Sequence, residues 1–247
     1  GKVYVGNFAE GTISVINPVT LKKIKDIKPH DYGCPGAPAN MATTGALGTD
    51  TVFVAMYGNP GRVAVIDAET DEFTECIETN GSGVFSVAVD ERFGYLYVTS
   101  RDAMSLQVFD YRSMPIKPLQ IIDLNGVPYS MIADKGRVYV AVAYDVPKYE
   151  NAGTILIFVI VQGGIVQWES VAVGNTHDGG MLFVSDVSGE MIIAATQDDS
   201  VLFLNLSTLK INGAMPIRDP FGIAEDYEHG WLYVGSRSEN QVIVIGR

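Results

Sequence analysis

A two-strand unit echoes six times along the chain. Its first strand is short and apolar: Val3-Tyr4-Val5, Val52-Phe53-Val54, Leu96-Tyr97-Val98, Val138-Tyr139-Val140, Ile192-Ile193-Ala194 and Leu232-Tyr233-Val234. After a polar turn comes a second strand, in most copies closed by Asp or Asn: Ile13 to Asn17, Val63 to Asp67, Leu106 to Asp110, Ile155 to Val159, Val201 to Asn205 and Val242 to Ile245. The anchors Tyr4, Phe53, Tyr97, Tyr139, Ile193 and Tyr233 are spaced by 49, 44, 42, 54 and 40 residues. That period is the length of a four-stranded propeller blade. The expected architecture is an all-β propeller of four-stranded antiparallel blades, formed by residues 1–247 as a single domain.

Four strands fit each repeat. In the third they are Phe85 to Val89 (inner), Tyr95 to Thr99, Leu106 to Asp110 and Leu119 to Asp123 (outer). The other inner strands are Asn40 to Thr44, Ser130 to Asp134, Gly180 to Val184 and Gly222 to Glu225. The total is 22 strands, one inner and one outer short of six complete blades. Six blades are therefore expected, with either a thin closing blade or a chain cut from a longer, seven-bladed protein. The recurrent Asp/Asn-x-x-Thr/Ser after the third strand (Asn17, Asp67, Asp110, Asn205) predicts Asx turns, in which the side chain caps the turn's own backbone. The segments after Asp90 and Glu225 predict hairpin loops, with His229 a turn residue.

Hydrophobic residues make up 47% of the chain, with 26 Gly and 11 Pro, a composition suited to many buried strands joined by turns. The net charge of −12 opposes nucleic-acid binding, because the field repels phosphate. The lysines Lys22, Lys23, Lys25 and Lys28 read as the solvated guard of an outer edge. The longest apolar run, Thr154 to Val161, is too short to cross a bilayer, which takes about twenty residues. No charged and apolar leader opens the chain, so a secretion signal is expected to have been removed or never to have existed. Cys34 and Cys76 match no zinc spacing. They leave two readings, a bridge across one blade rim in an oxidising compartment or two separate thiols.

Tyr97-Val98-Thr99-Ser100 followed by Leu106-Gln107-Val108-Phe109-Asp110 resembles the YVTN-type propeller repeat. Tyr4-Val5-Gly6-Asn7, Val63-Ala64-Val65-Ile66-Asp67 and Pro220-Phe221-Gly222-Ile223-Ala224 match the same consensus. The resemblance runs through the whole chain and is weakest in the fourth repeat, where Tyr144 to Gly153 is inserted. It implies a surface or extracytoplasmic binding propeller, and it extends to sugar-lactone hydrolases and to propeller subunits of oxidoreductases. No CxxCH haem motif supports the last of these.

Loops entering the inner strands and loops between second and third strands fall on one face, so ligand groups are expected there. The ligand-binding candidates are His30, Asp31, Tyr32, Arg101, Tyr144, Tyr149, His177, Asp178, Arg218 and Asp219, for a protein or small-molecule partner at the channel mouth. Asp102, Asp145, Glu150, Asp198, Asp199 and Arg237 share the face. No cofactor is evident. A divalent metal is one use for the two His-Asp dipeptides, with His30, Asp31, His177 and Asp178 as ligands, since imidazole and carboxylate together suit such ions. The same groups fit a general base with its partner. Cys34 beside His30 is the remaining candidate, as a thiolate pair.

Overall fold

Val52 to Met56 are each 0–1% exposed, because both faces of their sheet are covered by neighbouring sheets. A strand buried on two sides reads as a continuous apolar run instead of an alternation, which is why the repeats stand out in the sequence. The computed structural model describes residues 1–45, 50–113, 115–144, 153–174, 181–185 and 188–246. Among them lie 22 strands in six antiparallel sheets, the fold of a six-bladed β-propeller.

The chain divides into two compact units, residues 1–123 and 124–247. The first holds a three-stranded sheet, β1 (Val3–Asn7), β2 (Thr12–Asn17) and β3 (Lys22–Ile27). Two four-stranded sheets follow: β4 (Ala37–Thr43) to β7 (Glu72–Glu78), and β8 (Val84–Asp90), β9 (Tyr95–Ser100), β10 (Ser105–Asp110) and β11 (Lys117–Asp123). Between them β5 is Thr51–Tyr57 and β6 is Arg62–Asp67. The second unit has the mirror deficit. Two four-stranded sheets, β12 (Val127–Asp134) to β15 (Gly164–Ala172) and β16 (Leu182–Val184) to β19 (Lys210–Pro216), precede the three-stranded β20 (Pro220–Asp226), β21 (Trp231–Ser236) and β22 (Gln241–Gly246). The first sheet thus lacks an inner strand and the last an outer one, as the strand count predicts.

Odd and even positions of a strand face different neighbours, so the sheets β4–β7 and β16–β19 each contribute to two cores. Val52, Val54 and Met56 pack with Ile13 and Val15 of β2, while Phe53 and Ala55 pack with Leu96 and Val98 of β9. In the second unit Ile155 and Ile157 meet Met191 and Ile193, and Ile192 and Val201 meet Leu232 and Val234. In the terminal sheets the equivalent positions are exposed. Val3 and Val5 are 44% and 39% exposed where Val52 and Val54 are at 0%. Val242 and Val244 are 64% and 54% exposed where Val63 and Val65 are at 0% and 6%.

Inner strands are also tied by side chains. Asn40 Oδ1 accepts from Ser86 Oγ (3.4 Å) and from the Val87 amide (3.2 Å), linking β4 to β8. Ser130 Oγ accepts from the Leu182 amide (3.1 Å), and Ser185 Oγ donates to Glu225 Oε1 (2.6 Å). Outer strands instead face solvent and carry charge: Lys22, Lys23 and Lys25 on β3, and Glu72, Glu75 and Glu78 on β7.

The Asx turns form as expected. Asn17 and Asn205 each accept two turn amides at 2.9 Å, and Asp67 Oδ1 accepts from Glu69 (2.8 Å) and Thr70 (2.9 Å). Asp226 Oδ1 holds the amides of Glu228 and His229, and its Oδ2 lies 2.7 Å from His229 Nδ1. These contacts favour the ionised carboxyl. Asp67 is held below the usual range chiefly by the Thr70 amide, Asp226 by the His229 ring and Asp26 by Lys23. A depressed folded-state pKa stabilises the fold above the unfolded value, near 3.9, and that contribution is lost as pH falls through the lower folded value. The melting temperature is therefore expected to hold from pH 7 to about 5 and to fall below about 4. Asp67→Asn combined with Asp226→Asn should flatten that acid limb in thermal melts, and an equally steep limb in the double variant would remove these turns as its cause.

Tyr97 is fully buried, yet its hydroxyl has no hydrogen-bond partner among the described residues, and burial pushes its pKa upward. An unsatisfied buried hydroxyl costs about 1–3 kcal/mol. Tyr97→Phe is therefore expected to stabilise the protein by about 1 kcal/mol in urea unfolding, and destabilisation would reveal a partner for that hydroxyl.

Candidate functional site

At the loop end of β8 the pairing with β9 slips by one residue, between Val84 and Ser86, so Phe85 sits in a bulge. The same slip brackets Ala39 in β4, Tyr129 and Ser130 in β12, and Phe221 and Gly222 in β20. Bulges re-aim side chains at the ends of sheets and beside binding sites. Here they put an aromatic residue at the mouth end of three inner strands.

Two of these aromatics are covered by an arginine from the loop that follows the second strand. In the first unit the Arg101 guanidinium carbon lies 4.9 Å from the Phe85 ring centroid. In the second unit Arg237 lies 4.7 Å from Phe221. In each pair the arginine is sixteen residues after the phenylalanine and follows a serine that ends the second strand, Ser100 or Ser236. A guanidinium over a ring face is attracted by the ring quadrupole, by about 0.5–1 kcal/mol at exposed sites. The stack fixes the long side chain without neutralising it.

Backbone bonds set each arginine in place. The Arg101 amide donates to Gly83 O (2.8 Å) and the Arg237 amide to Asp219 O (3.1 Å), so the two loops of the face close on each other. Gly83 has φ +71°, and a Cβ there would lie 2.7 Å from the Asp102 carboxylate, so the approach demands glycine. Gln107 reinforces the first site. Its amide accepts from Asn80 N (2.7 Å) and donates to Asn80 O (3.0 Å), replacing a backbone pair with a side chain. In the second site Arg237 Nη2 and Nε donate to Asp219 Oδ1 at 2.8 and 3.2 Å. Asp219 N in turn donates to Asp199 Oδ1 (2.8 Å), Ser236 Oγ to Arg218 O (2.7 Å) and Thr196 Oγ1 to Pro220 O (2.7 Å). The Arg237 side chain remains 49% exposed. In each unit the result is a polar rim in which an arginine is held over an aromatic ring, Arg237 being ion-paired with Asp219 as well.

Of the residues singled out in the sequence, Arg101, Arg218 and Asp219 lie in these rims. Tyr144 follows β13 (Arg137–Ala143), and its ring passes over Gly126, where a Cβ would lie 2.8 Å from Cδ1. Tyr149, His177 and Asp178 lie outside the described residues. His30, Asp31 and Tyr32 occupy a 3-10 turn, Pro29–Tyr32, that leans against the outer strand β7. Tyr32 stacks on Phe73 with ring centroids 5.0 Å apart and planes 7° apart, and Cys34 is bonded to Cys76. His30 Nε2 and Asp31 Oδ1 meet at 3.1 Å, both exposed. Among the described residues no group of three or more His, Cys, Asp or Glu is arranged to hold a metal ion. No helix among them is long and apolar enough to cross a membrane.

The two Phe-Arg pairs were not anticipated from the sequence, although a signal existed. Ser100-Arg101 and Ser236-Arg237 recur at the same strand position, at equal distance from an inner-strand Phe. The bulge that aims the ring leaves no such trace.

No protein-family model matches the chain, and no curated protein matches it. Solved structures do match. One is titled Kuenenia stuttgartiensis hydrazine synthase, at 16% identity and TM-score 0.74, covering 100% of this chain and 80% of that one. A nidogen/laminin complex matches at 14% identity and TM-score 0.70, covering 99% and 88%. A candidate 6-phosphogluconolactonase from Bacteroides uniformis matches at 12% identity and TM-score 0.73, covering 96% and 74%. At these identities the likeness is one of fold.

Proposed function

We propose that this chain is a YVTN-type binding propeller that works outside the cytoplasm and engages a protein or small-molecule ligand through the mouth-face loops. The observation that carries the reading is the pair of preorganised arginine-on-phenylalanine rims, Arg101 over Phe85 and Arg237 over Phe221. Arginine and aromatic residues dominate binding energy at interfaces, and groups already held in place lose little entropy when a partner arrives. The Cys34–Cys76 bridge supports the compartment, since such bonds persist where the surroundings are oxidising.

The test is selection of a displayed peptide library on the purified protein, followed by titration of the selected peptides against Arg101→Ala and Arg237→Ala. Affinity is expected to drop about tenfold or more in at least one variant and to be unchanged in Lys117→Ala on the outer strand β11. Peptides indifferent to both arginines would overturn the assignment.

A lactone-hydrolysing enzyme is the second reading, favoured by the fold likeness to the candidate 6-phosphogluconolactonase. Elemental analysis, with melts in the presence and absence of EDTA, separates the two. A stoichiometric metal whose removal lowers the melt, together with lactone hydrolysis, would replace the binding reading.

A further inference from the structure

Two Asn-x-Ser triplets occur in the chain, Asn80-Gly81-Ser82 and Asn205-Leu206-Ser207. An asparagine two residues before a hydroxyl, with no proline between them, is the acceptor pattern for N-linked sugars, and it belongs on surface loops of proteins outside the cytoplasm. The fold treats the two triplets in opposite ways.

Asn205 is taken up by its own turn. It closes β18 (Ser200–Asn205), and its Oδ1 accepts the amides of Ser207 and Thr208, both at 2.9 Å. Leu206, the residue between, packs against the core of the second unit. A transferase that has to grip the asparagine amide and the serine hydroxyl together would first have to undo this Asx turn.

Asn80 is the reverse case, because the loop between β7 and β8 is fastened by other groups. The Asn80 main chain exchanges both its polar groups with the Gln107 side chain, at 2.7 and 3.0 Å. Gly81 O accepts the Gly61 amide (2.9 Å), Gly83 N donates to Gly58 O (3.0 Å), and Thr79 Oγ1 donates to Gly61 O (2.8 Å). These bonds leave the side chains of Asn80 and Ser82 with no hydrogen-bond partner among the described residues. Asn80 is exposed and Ser82 half-buried. The middle position is constrained as well. Gly81 has φ +99°, and a Cβ there would lie 2.5 Å from that of Ala103, so the loop takes neither a larger residue nor the proline that would spoil the triplet.

We propose that Asn80 is a site of N-linked glycosylation, with an oligosaccharide carried on a lipid diphosphate as the donor. The bond between C1 of its first sugar and the diphosphate breaks, C1 bonds to Asn80 Nδ2, one amide proton is released and the lipid diphosphate departs. The proposal rests on the extracytoplasmic reading, which the Cys34–Cys76 bridge supports, and is indifferent to the ligand of the mouth face. Gly83 of the same loop receives the Arg101 amide, so the glycan borders that rim.

The experiment is secretion of the intact chain from a eukaryotic host that performs N-glycosylation, followed by intact mass and peptide mapping before and after treatment with a peptide N-glycanase, which leaves Asp where a glycan stood. One glycan is expected, on Asn80. Asn80→Gln and Ser82→Ala should each abolish it, Ser82→Thr should retain it, and Asn205→Gln should leave it unchanged. Melting temperature checks that each variant is folded, and the two independent losses keep the test decisive if one of them is not. An unmodified Asn80 in a product whose Cys34–Cys76 bridge has formed overturns the site and leaves the compartment standing. An unmodified Asn80 with both thiols free overturns both. A glycan on Asn205 in place of Asn80 overturns the choice between the triplets.

Discussion

Cys34→Ala with Cys76→Ala is expected to lower stability by about 4 kcal/mol and the melting temperature by about 8–16 °C. The bridge spans a sequence separation of 42, enclosing β4, β5 and β6, with Cα atoms 5.6 Å apart. In the chain-entropy account a cross-link of that reach removes more freedom from the unfolded chain than a short loop would. The expected loss lies between about 3 kcal/mol for fifteen residues and about 4.7 for a hundred. Packing adds to it. Cys34 is fully buried among Ile13, Val15, Ile27, Val52 and Met56, so its removal also opens the core between the first two sheets. Melts of the wild type with and without reductant, beside the double variant, check the expectation. A difference below about 1 kcal/mol would mean that the two thiols are not paired in the working protein.

Phe53→Ala should cost about 4 kcal/mol. Phe53 is 1% exposed, shares a cluster with Val87, Leu96 and Val98 of the next sheet, and sits 5.4 Å from the Tyr111 ring. Truncation loses the transfer energy of the ring and leaves a void between two rigid sheets, neither of which can collapse without breaking its own ladder. Val242→Ala is the matched control. At 64% exposure on β22, it should change stability by less than about 0.5 kcal/mol. Urea unfolding with both slopes recorded measures the pair. Similar costs at the two sites would contradict the burial asymmetry between interior and terminal sheets.

Much of this architecture was written locally. Burial on both faces forces apolar runs such as Val52 to Met56, and hairpin ends demand Asx residues such as Asp67 and Asn205, so strand number, strand order and turn chemistry could be read residue by residue. The outer strands were equally legible, since the lysines of β3 and the glutamates of β7 mark edges that face water. The candidate site was legible only in part. Arg101, Arg218 and Asp219 were placed on the mouth face because loop class follows from strand order, but the phenylalanines under Arg101 and Arg237 depend on a one-residue slip between strands. A register slip belongs to a pair of strands and leaves no signature in either one.

The sequence by itself determined the repeat, the six sheets with one inner and one outer strand wanting, and the polar rim loops, because these follow from side-chain period and turn chemistry within a few residues. It left the cysteines as either a bridge or two thiols, and it assigned Asp31 and Tyr32 to the channel mouth by loop class. Only the tertiary structure joined Cys34 to Cys76 and laid Tyr32 on Phe73, drawing the 3-10 turn to the outer strand of the second sheet. Those partners lie some forty residues apart and meet because three intervening strands fold back between them, a distance over which local pattern carries no information.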